Sequence, residues 1–249
     1  MIRGIYTAAS GMIGEASRLD IIANNLANVN TPGFRRDAAL YRSFPDLLIS
    51  LRDSSAMTVP IGAIATGAYL DATFPVPASG PLQRTGNALD VALLGDVYLA
   101  VDTPAGERYT RHGGLKLGSS GMLVTASGHP VLGTTGPIQV TSADVEIEPD
   151  GAVMVDGALA GRLMLVRFDD SSGLVKEGQN LLAATERSGP AVLAPGARLE
   201  PRCLELSNVD PVREMVAMIT VMRAYEANQQ ALRAQDEALQ RGIATGSLG

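Results

Sequence analysis

The chain has no tryptophan, four phenylalanines, six tyrosines, two histidines and a single cysteine in 249 residues. Each scarcity excludes something. Lone Cys203 rules out an internal disulfide and a multi-cysteine metal site, and a buried thiol is its default role. His112 and His129 sit on separate turn-rich segments, without a His, Cys or carboxylate partner at metal-ligand spacing, so loop packing is expected of both. The Gly-Ser-Ser-Gly run at 118–121 lacks nucleophile-elbow spacing and reads as a hairpin turn. Glu146 to Gly151 is acidic but departs from a calcium loop, and no glycine-rich loop could cradle a phosphate. No cofactor, metal or catalytic group is expected.

Positive charge is also scarce: 20 Lys and Arg stand against 26 Asp and Glu. No basic run or aromatic-interleaved patch suggests a nucleic-acid surface. No apolar run approaches the roughly 18 residues of a membrane span. Behind Arg3 there is no continuous apolar segment, so a cleavable signal peptide is not expected. That leaves cytoplasmic residence or export by a route that reads something else. What the chain does have is 46% hydrophobic residues, enough for a core built from Val, Leu, Ile, Met and Ala.

Two stretches at opposite ends organise the rest. In the first, up to Val29, Ile5, Met12, Leu19 and Leu26 recur every seven residues, with Ile22 and Val29 on the adjacent seam and Ala9, Ala16 and Ala23 beside them. In the last, from Pro211 to Gly242, Met218, Tyr225, Leu232 and Leu239 recur at the same interval, with Met215 and Met222 between. A seven-residue apolar stripe seeks a partner helix. The seams are weak: Glu15 lies on the first, and Gln229 and Asp236 interrupt the second. Buried polar groups are costly unless paired, though one or two can fix register. Two such stripes could serve each other or the helices of neighbouring copies.

The first helix should end near Val29, where Asn24, Asn25, Asn28 and Asn30 crowd the last turns before Thr31-Pro32-Gly33. Those amides read either as a frayed helix end or as hydrogen-bonding groups for neighbouring helices. Phe44 to Leu51 suits a short helix or packed connector, and residues 59–81, with Pro60, Pro75, Pro77 and Pro81, suit extended linker or edge strand. From Leu82 to Ala184 short apolar runs alternate with turn formers. Asp150-Gly151 and Asp156-Gly157 bracket a hairpin strand at 152–155, and Leu159 to Phe168 is the longest strand candidate. The pattern predicts an antiparallel sandwich or barrel and disfavours a dinucleotide fold. Asp210, Pro211 and Glu214 then mark a helix start.

The eleven residues Asn24-Asn25-Leu26-Ala27-Asn28-Val29-Asn30-Thr31-Pro32-Gly33-Phe34 closely resemble the N-terminal signature of the bacterial flagellar axial proteins: rod, hook and hook-associated proteins. Leu204 to Asp210, Glu214-Met215-Val216 and Arg223 to Asn228 resemble that family's C-terminal end. Thr85 to Ala92, Tyr109-Thr110-Arg111-His112-Gly113, Gly121 to Thr125, Val131-Leu132-Gly133, Gly136-Pro137-Ile138, Ile147 and Asp150-Gly151 match in order between them. Val97-Tyr98 stands where the family has glycine-phenylalanine. Length, the short 35–80 region and the Gly-Pro-Ile element favour the proximal-rod branch over the distal-rod branch.

The resulting reading is an α+β protein: a coiled-coil domain of N- and C-terminal amphipathic helices around a central antiparallel all-β domain. Residues 1–34 form the N-terminal assembly helix and signature, 35–81 a connector, 82–200 the β domain, and 201–249 a C-terminal helix packing on 1–34. The resemblance implies a structural subunit of the flagellar basal-body rod, exported through the flagellar type III apparatus and assembling with copies of itself and other axial proteins. No small-molecule substrate is expected. A closed soluble oligomer with a helical bundle and a β binding module is the alternative, separable by fixed stoichiometry against concentration-dependent polymerisation. A hydrolase hidden in the β domain would require a pocket of converging polar groups.

Overall fold

The computed structural model describes residues 2–44, 47–52, 58–64, 67–140, 142 and 144–246. The chain divides into two compact units. One comprises Met1–Leu26, Ala38–Thr73 and Pro211–Gly249; the other comprises Ala27–Asp37 and Phe74–Asp210.

The first unit carries both helices. Helix α1 spans Ile2–Ala27 and stops two residues before the expected Val29. Its end is closed by a turn: Thr31 N–H donates to the Asn28 carbonyl at 3.1 Å, and the Thr31 hydroxyl donates to Asn28 Oδ1 at 3.2 Å. Asn and Thr side chains compete with helical backbone in this way, which makes them helix enders. Helix α2 spans Pro211–Gly246, 36 residues. Pro211 occupies the first position, where its missing N–H costs no intrahelical bond and its fixed φ suits a helix. Glu214 places negative charge against the positive end of the helix dipole. Among the described residues, no helix is long and apolar enough to cross a membrane.

Between the helices runs a β-ribbon. Asp37–Ser43 pairs with Ala68–Pro75, and Leu47–Arg52 pairs antiparallel with Thr58–Ile64. The segment read as a short helix or connector over 44–51 is therefore largely strand. Its register shifts between Ile49 and Ser50, the latter opposite Pro60. Such an irregularity admits a prolyl residue, which has no N–H for the ladder. Local propensity is a weak guide here, because cross-strand pairing decides the conformation.

The second unit is all-β among its described residues, apart from one 3₁₀ turn. Its largest sheet has six strands, in the order Val175–Gly178, Leu181–Ala183, Gly106–Thr110, Tyr98–Thr103, Leu165–Arg167 and Val192–Leu193, every pairing antiparallel. The central strand is buried on both faces. Leu99 and Val101 join a large cluster with Val91, Leu93, Leu123, Val153 and Leu165, while Tyr98 and Ala100 join Tyr109, Val166 and Phe168 on the other face. Alternating side chains feed two cores, so this strand reads as a continuous apolar run. Phe168 meets Tyr98 and Tyr109 edge-on at 5.6 and 4.8 Å between centroids. This gathers three of the chain's ten aromatic rings in one place.

A three-stranded sheet of Val145–Ile147, Ala152–Val155 and Ala158–Arg162 holds the expected hairpin. Asp156 and Gly157 both take positive φ, 49° and 76°, as a tight primed turn requires. The predicted long strand from Leu159 to Phe168 is broken. Ala158–Arg162 belongs to this sheet and Leu165–Arg167 to the six-stranded one. At the corner the Leu163 and Met164 N–H groups donate to the carbonyls of Gly151 and Leu132, so the switch leaves neither donor unpaired.

Candidate assembly site

Within the first unit the two helices run antiparallel. Gly4 lies against Gln235 and Gly11 against Asn228, seven residues on in one helix and seven back in the other. A Cβ at Gly4 would collide with the Gln235 amide. The α2 row facing α1 is therefore Glu214, Val221, Asn228 and Gln235, in which Val221 is 1% exposed. Among the described side chains of α1, Ala8, Ile22 and Asn25 are buried.

The residues of the apolar stripes are distributed unevenly. Ile5, Met12, Leu19, Leu26 and Val29 are half-buried, and Ile22 is buried. On α2, Met218, Leu232 and Leu239 are half-buried, but Met215, Met222 and Tyr225 remain 46%, 50% and 37% exposed. The intramolecular contact runs one residue before the Met215–Met222 row, and reading hydropathy alone passes over it because two of its four members are amides. Gly4 and Gly11, themselves seven residues apart, were the available signal: small residues admit long polar ones opposite.

The helix pair leaves polar groups unmet. Glu15 Oε2 and Gln235 Oε1 are buried without a hydrogen-bond partner among the described residues. Glu15 lies at a groove of about 320 Å³ lined by Ala16, Leu19, Val221, Met222, Tyr225 and Glu226. The ribbon packs nearby: Tyr41 donates its hydroxyl to the Gly14 carbonyl at 3.1 Å. Burial raises the Tyr41 pKa; Arg18 opposes that shift and Glu15 adds to it. Gly67 approaches Ser10 so closely that a Cβ there would strike its hydroxyl.

In the second unit, three separated motifs converge. Arg111 is 2% exposed, and its guanidinium donates to the carbonyls of Leu93, Gly95 and Val97 and to Glu205 Oε2. Glu205 Oε1 accepts from Gly80 N–H at 3.0 Å. A buried pair is tolerable only when its remaining donors and acceptors are met, as they are here. Gly33, at φ +69°, lies so close to the Arg111–His112 peptide that only glycine fits, and its N–H donates to the Glu205 carbonyl at 2.7 Å. The signature turn is thus fixed to the Arg111–Glu205 pair.

The residues after the turn extend the lock. Phe34 is buried, with Lys176 Nζ 3.9 Å above its ring. Lys176 also donates to the Arg35 carbonyl at 2.6 Å and pairs with Asp37 at 2.9 Å. Burial lowers the Lys176 pKa, and the Asp37 contact opposes this. Arg35 Nη1 reaches Asp96 at 2.9 Å and the Tyr98 hydroxyl at 3.2 Å; Tyr98 in turn donates to Asp96 at 3.1 Å. Tyr98 is therefore part of the same lock. Burial is the main reason its pKa is pushed up to about 12. Asn180 donates to the Pro32 carbonyl at 2.9 Å, and Asn208 to those of Val76 and Ala78. Of the signature asparagines, Asn25 is buried, Asn28 half-buried, and Asn24 and Asn30 exposed.

His112 borders a polar hollow of about 300 Å³ with Asn28, Thr31, Thr110, Gln179 and Asn180. Its Nδ1 accepts from the Gly114 N–H, so the neutral ring carries its proton on Nε2. Burial lowers its pKa, against the backbone hydrogen bond and Asp90, which raise it. Among the described residues, no carboxylate or thiol lines the hollow to make a catalytic pair with that ring. His129 stands on another loop, 3.4 Å from Gln179 Oε1. Cys203 is buried and free. No group of three His, Cys, Asp or Glu that could hold a metal occurs among the described residues.

The motifs converging on the lock coincide with three family models. Residues 5–35 match "Flagella basal body rod protein", 92–155 match "Flagellar hook protein FlgE/F/G D1 domain", and 202–245 match "Flagellar basal body rod FlgEFG protein C-terminal". The chain is 34% identical over 260 residues to the flagellar basal-body rod protein FlgG of Bacillus subtilis, covering 96% of this chain and 97% of that one. It is 35% identical over 260 residues to the protein of that name from Caulobacter vibrioides, with 96% and 97% covered. To the flagellar basal-body rod protein FlgF of Mesorhizobium japonicum it is 32% identical over 242 residues, with 94% and 95% covered.

Proposed function

The chain belongs to the flagellar basal-body rod protein family, and from that membership we propose that it is a structural subunit of the rod, built into the axial shaft through its terminal helices. Its work is mechanical: torque passes from motor to hook through subunit contacts. The observation carrying this reading is the helix pair, which leaves Met222 and Tyr225 exposed beside Glu15, whose Oε2 is unmet among the described residues. Exposed apolar surface of this kind marks an interaction site. A coiled-coil-like layer of such helices from many copies would cover that surface.

Partners are further copies of this chain, neighbouring axial proteins and the flagellar type III export apparatus. The FlgF-type, proximal position is favoured by length: the match to the FlgG relatives runs over more positions than this chain has residues and so requires insertions, whereas the FlgF match is nearer to collinear.

The test is complementation of a strain lacking this protein. Leu19→Asp and Met222→Asp, both in the groove, are expected to abolish swarming while the purified variants keep the β signature in circular dichroism. Wild-type swarming by both variants would overturn the helix-mediated assembly. Undiminished motility of the deletion strain would overturn the rod function itself.

A further inference from the structure

The groove on the helix pair and a second surface of α2 complement each other. The groove is apolar along Leu19, Val221 and Met222, and its charged lining is solely acidic, from Glu15 and Glu226. Glu15 Oε2 is buried with no hydrogen-bond donor among the described residues. A buried, unmet carboxylate oxygen is expensive, and because Glu15 lines the groove, a turn of its side chain would offer that oxygen to the donor fork of an arginine entering there. Elsewhere on α2, Val212, Val216 and Ile219 are 63%, 59% and 53% exposed, and Arg223 is exposed next in line. Their spacings of four, three and four residues place them on one helical face. Arg223 has no ion pair within the chain among the described residues, although Glu226 lies one turn away.

We propose that the exposed stripe Val212–Val216–Ile219 of a second copy docks in this groove, with the second copy's Arg223 pairing with Glu15. This rests on the rod reading and names the contact through which copies join. At about 100° per residue, the groove residues and the stripe centre roughly 120° apart around α2. Donor and acceptor faces are therefore different surfaces of each copy, which makes the contact heterologous. A heterologous contact that does not close generates an open helical array rather than a two-fold dimer. The stripe supplies apolar burial, and the Glu15–Arg223 pair supplies register, the best-attested role for a lone ionic contact in a helical interface.

A charge swap tests it. In the complementation strain, Glu15→Arg and Arg223→Glu are each expected to abolish swarming, and the double exchange to restore it. Loss in both singles without recovery in the double, or swarming in both singles, overturns the pairing while the wild-type control leaves the rod reading standing. A second measurement does not depend on motility. Glu15→Cys with Arg223→Cys is expected to give a bismaleimide-linked dimer of this chain in intact basal bodies, with neither single variant doing so; Cys203 is buried. A Glu15→Cys link to a different axial protein, or no link in the double variant, would overturn docking of a second copy there.

Discussion

The two units meet their buried polar groups differently. In the β unit, the buried Arg111 has its guanidinium shared among three carbonyls and a carboxylate whose other oxygen is also met. In the helix unit, Glu15 and Gln235 bury oxygens that nothing meets among the described residues, and Val216, Ile219 and Met222 are at least half exposed. Arg35 is the β unit's exception, with Nε and Nη2 unpaired beside a bonded Nη1. Among the described residues each unit thus leaves two buried atoms unmet, and what sets the helix unit apart is that its unmet carboxylate belongs to a groove beside exposed Met222 and Tyr225. A surface of that kind is completed by a neighbour, and stability and assembly should therefore separate between the units.

The largest expected break in that separation is in the β unit. Arg111→Ala leaves Glu205 as an uncompensated buried charge, and breaking such a pair typically costs about 3–5 kcal/mol. Denaturant unfolding followed through the β signal should show it, whereas a cost below about 1 kcal/mol would mean that water enters and the pair is not the keystone. Next comes a matched pair on adjacent α2 residues. Val221→Ala removes a buried side chain and should lower helix-unit stability by roughly 1–3 kcal/mol. Met222→Ala, half exposed, should leave monomer stability within about 0.5 kcal/mol while weakening assembly. Equal effects on monomer stability would erase the distinction between the intramolecular row and the outward one.

How far the sequence shows this division varies with the physics. The helices were visible because seven-residue periodicity is local, and Pro211 and the Asn28–Gly33 turn mark their ends. The Asp156–Gly157 hairpin was visible because two positive-φ positions demand those residue types. The row Glu214, Val221, Asn228 and Gln235 was hidden: its two amides face glycines more than two hundred positions away, and hydropathy weighs each residue alone. The ribbon strand Leu47–Arg52 was hidden for a similar reason, since its conformation is set by a partner strand. The Arg111–Glu205 pair spans 94 residues. Each half lay in a motif matching the family, but nothing local said that they meet.

The smallest effect concerns pH and sharpens the same contrast, because its group belongs to the β unit. Burial lowers the pKa of His112 below the ordinary 6.5, so the folded chain resists a proton that the unfolded chain accepts. Stability is then fully present above 6.5 and declines as pH falls through that value, levelling once the folded-state pKa is passed. Asp150 and Asp170, held below 3.8 by hydrogen bonds from Ala152 and Ser172, lose their contribution only at lower pH, which keeps the windows apart. His112→Asn can present Oδ1 to the Gly114 N–H in place of Nδ1 and has nothing to protonate. Unfolding measured in steps below pH 6.5 should give a flatter profile for this variant than for the wild type. An unchanged slope would assign the acid sensitivity to another group and leave His112 as packing alone.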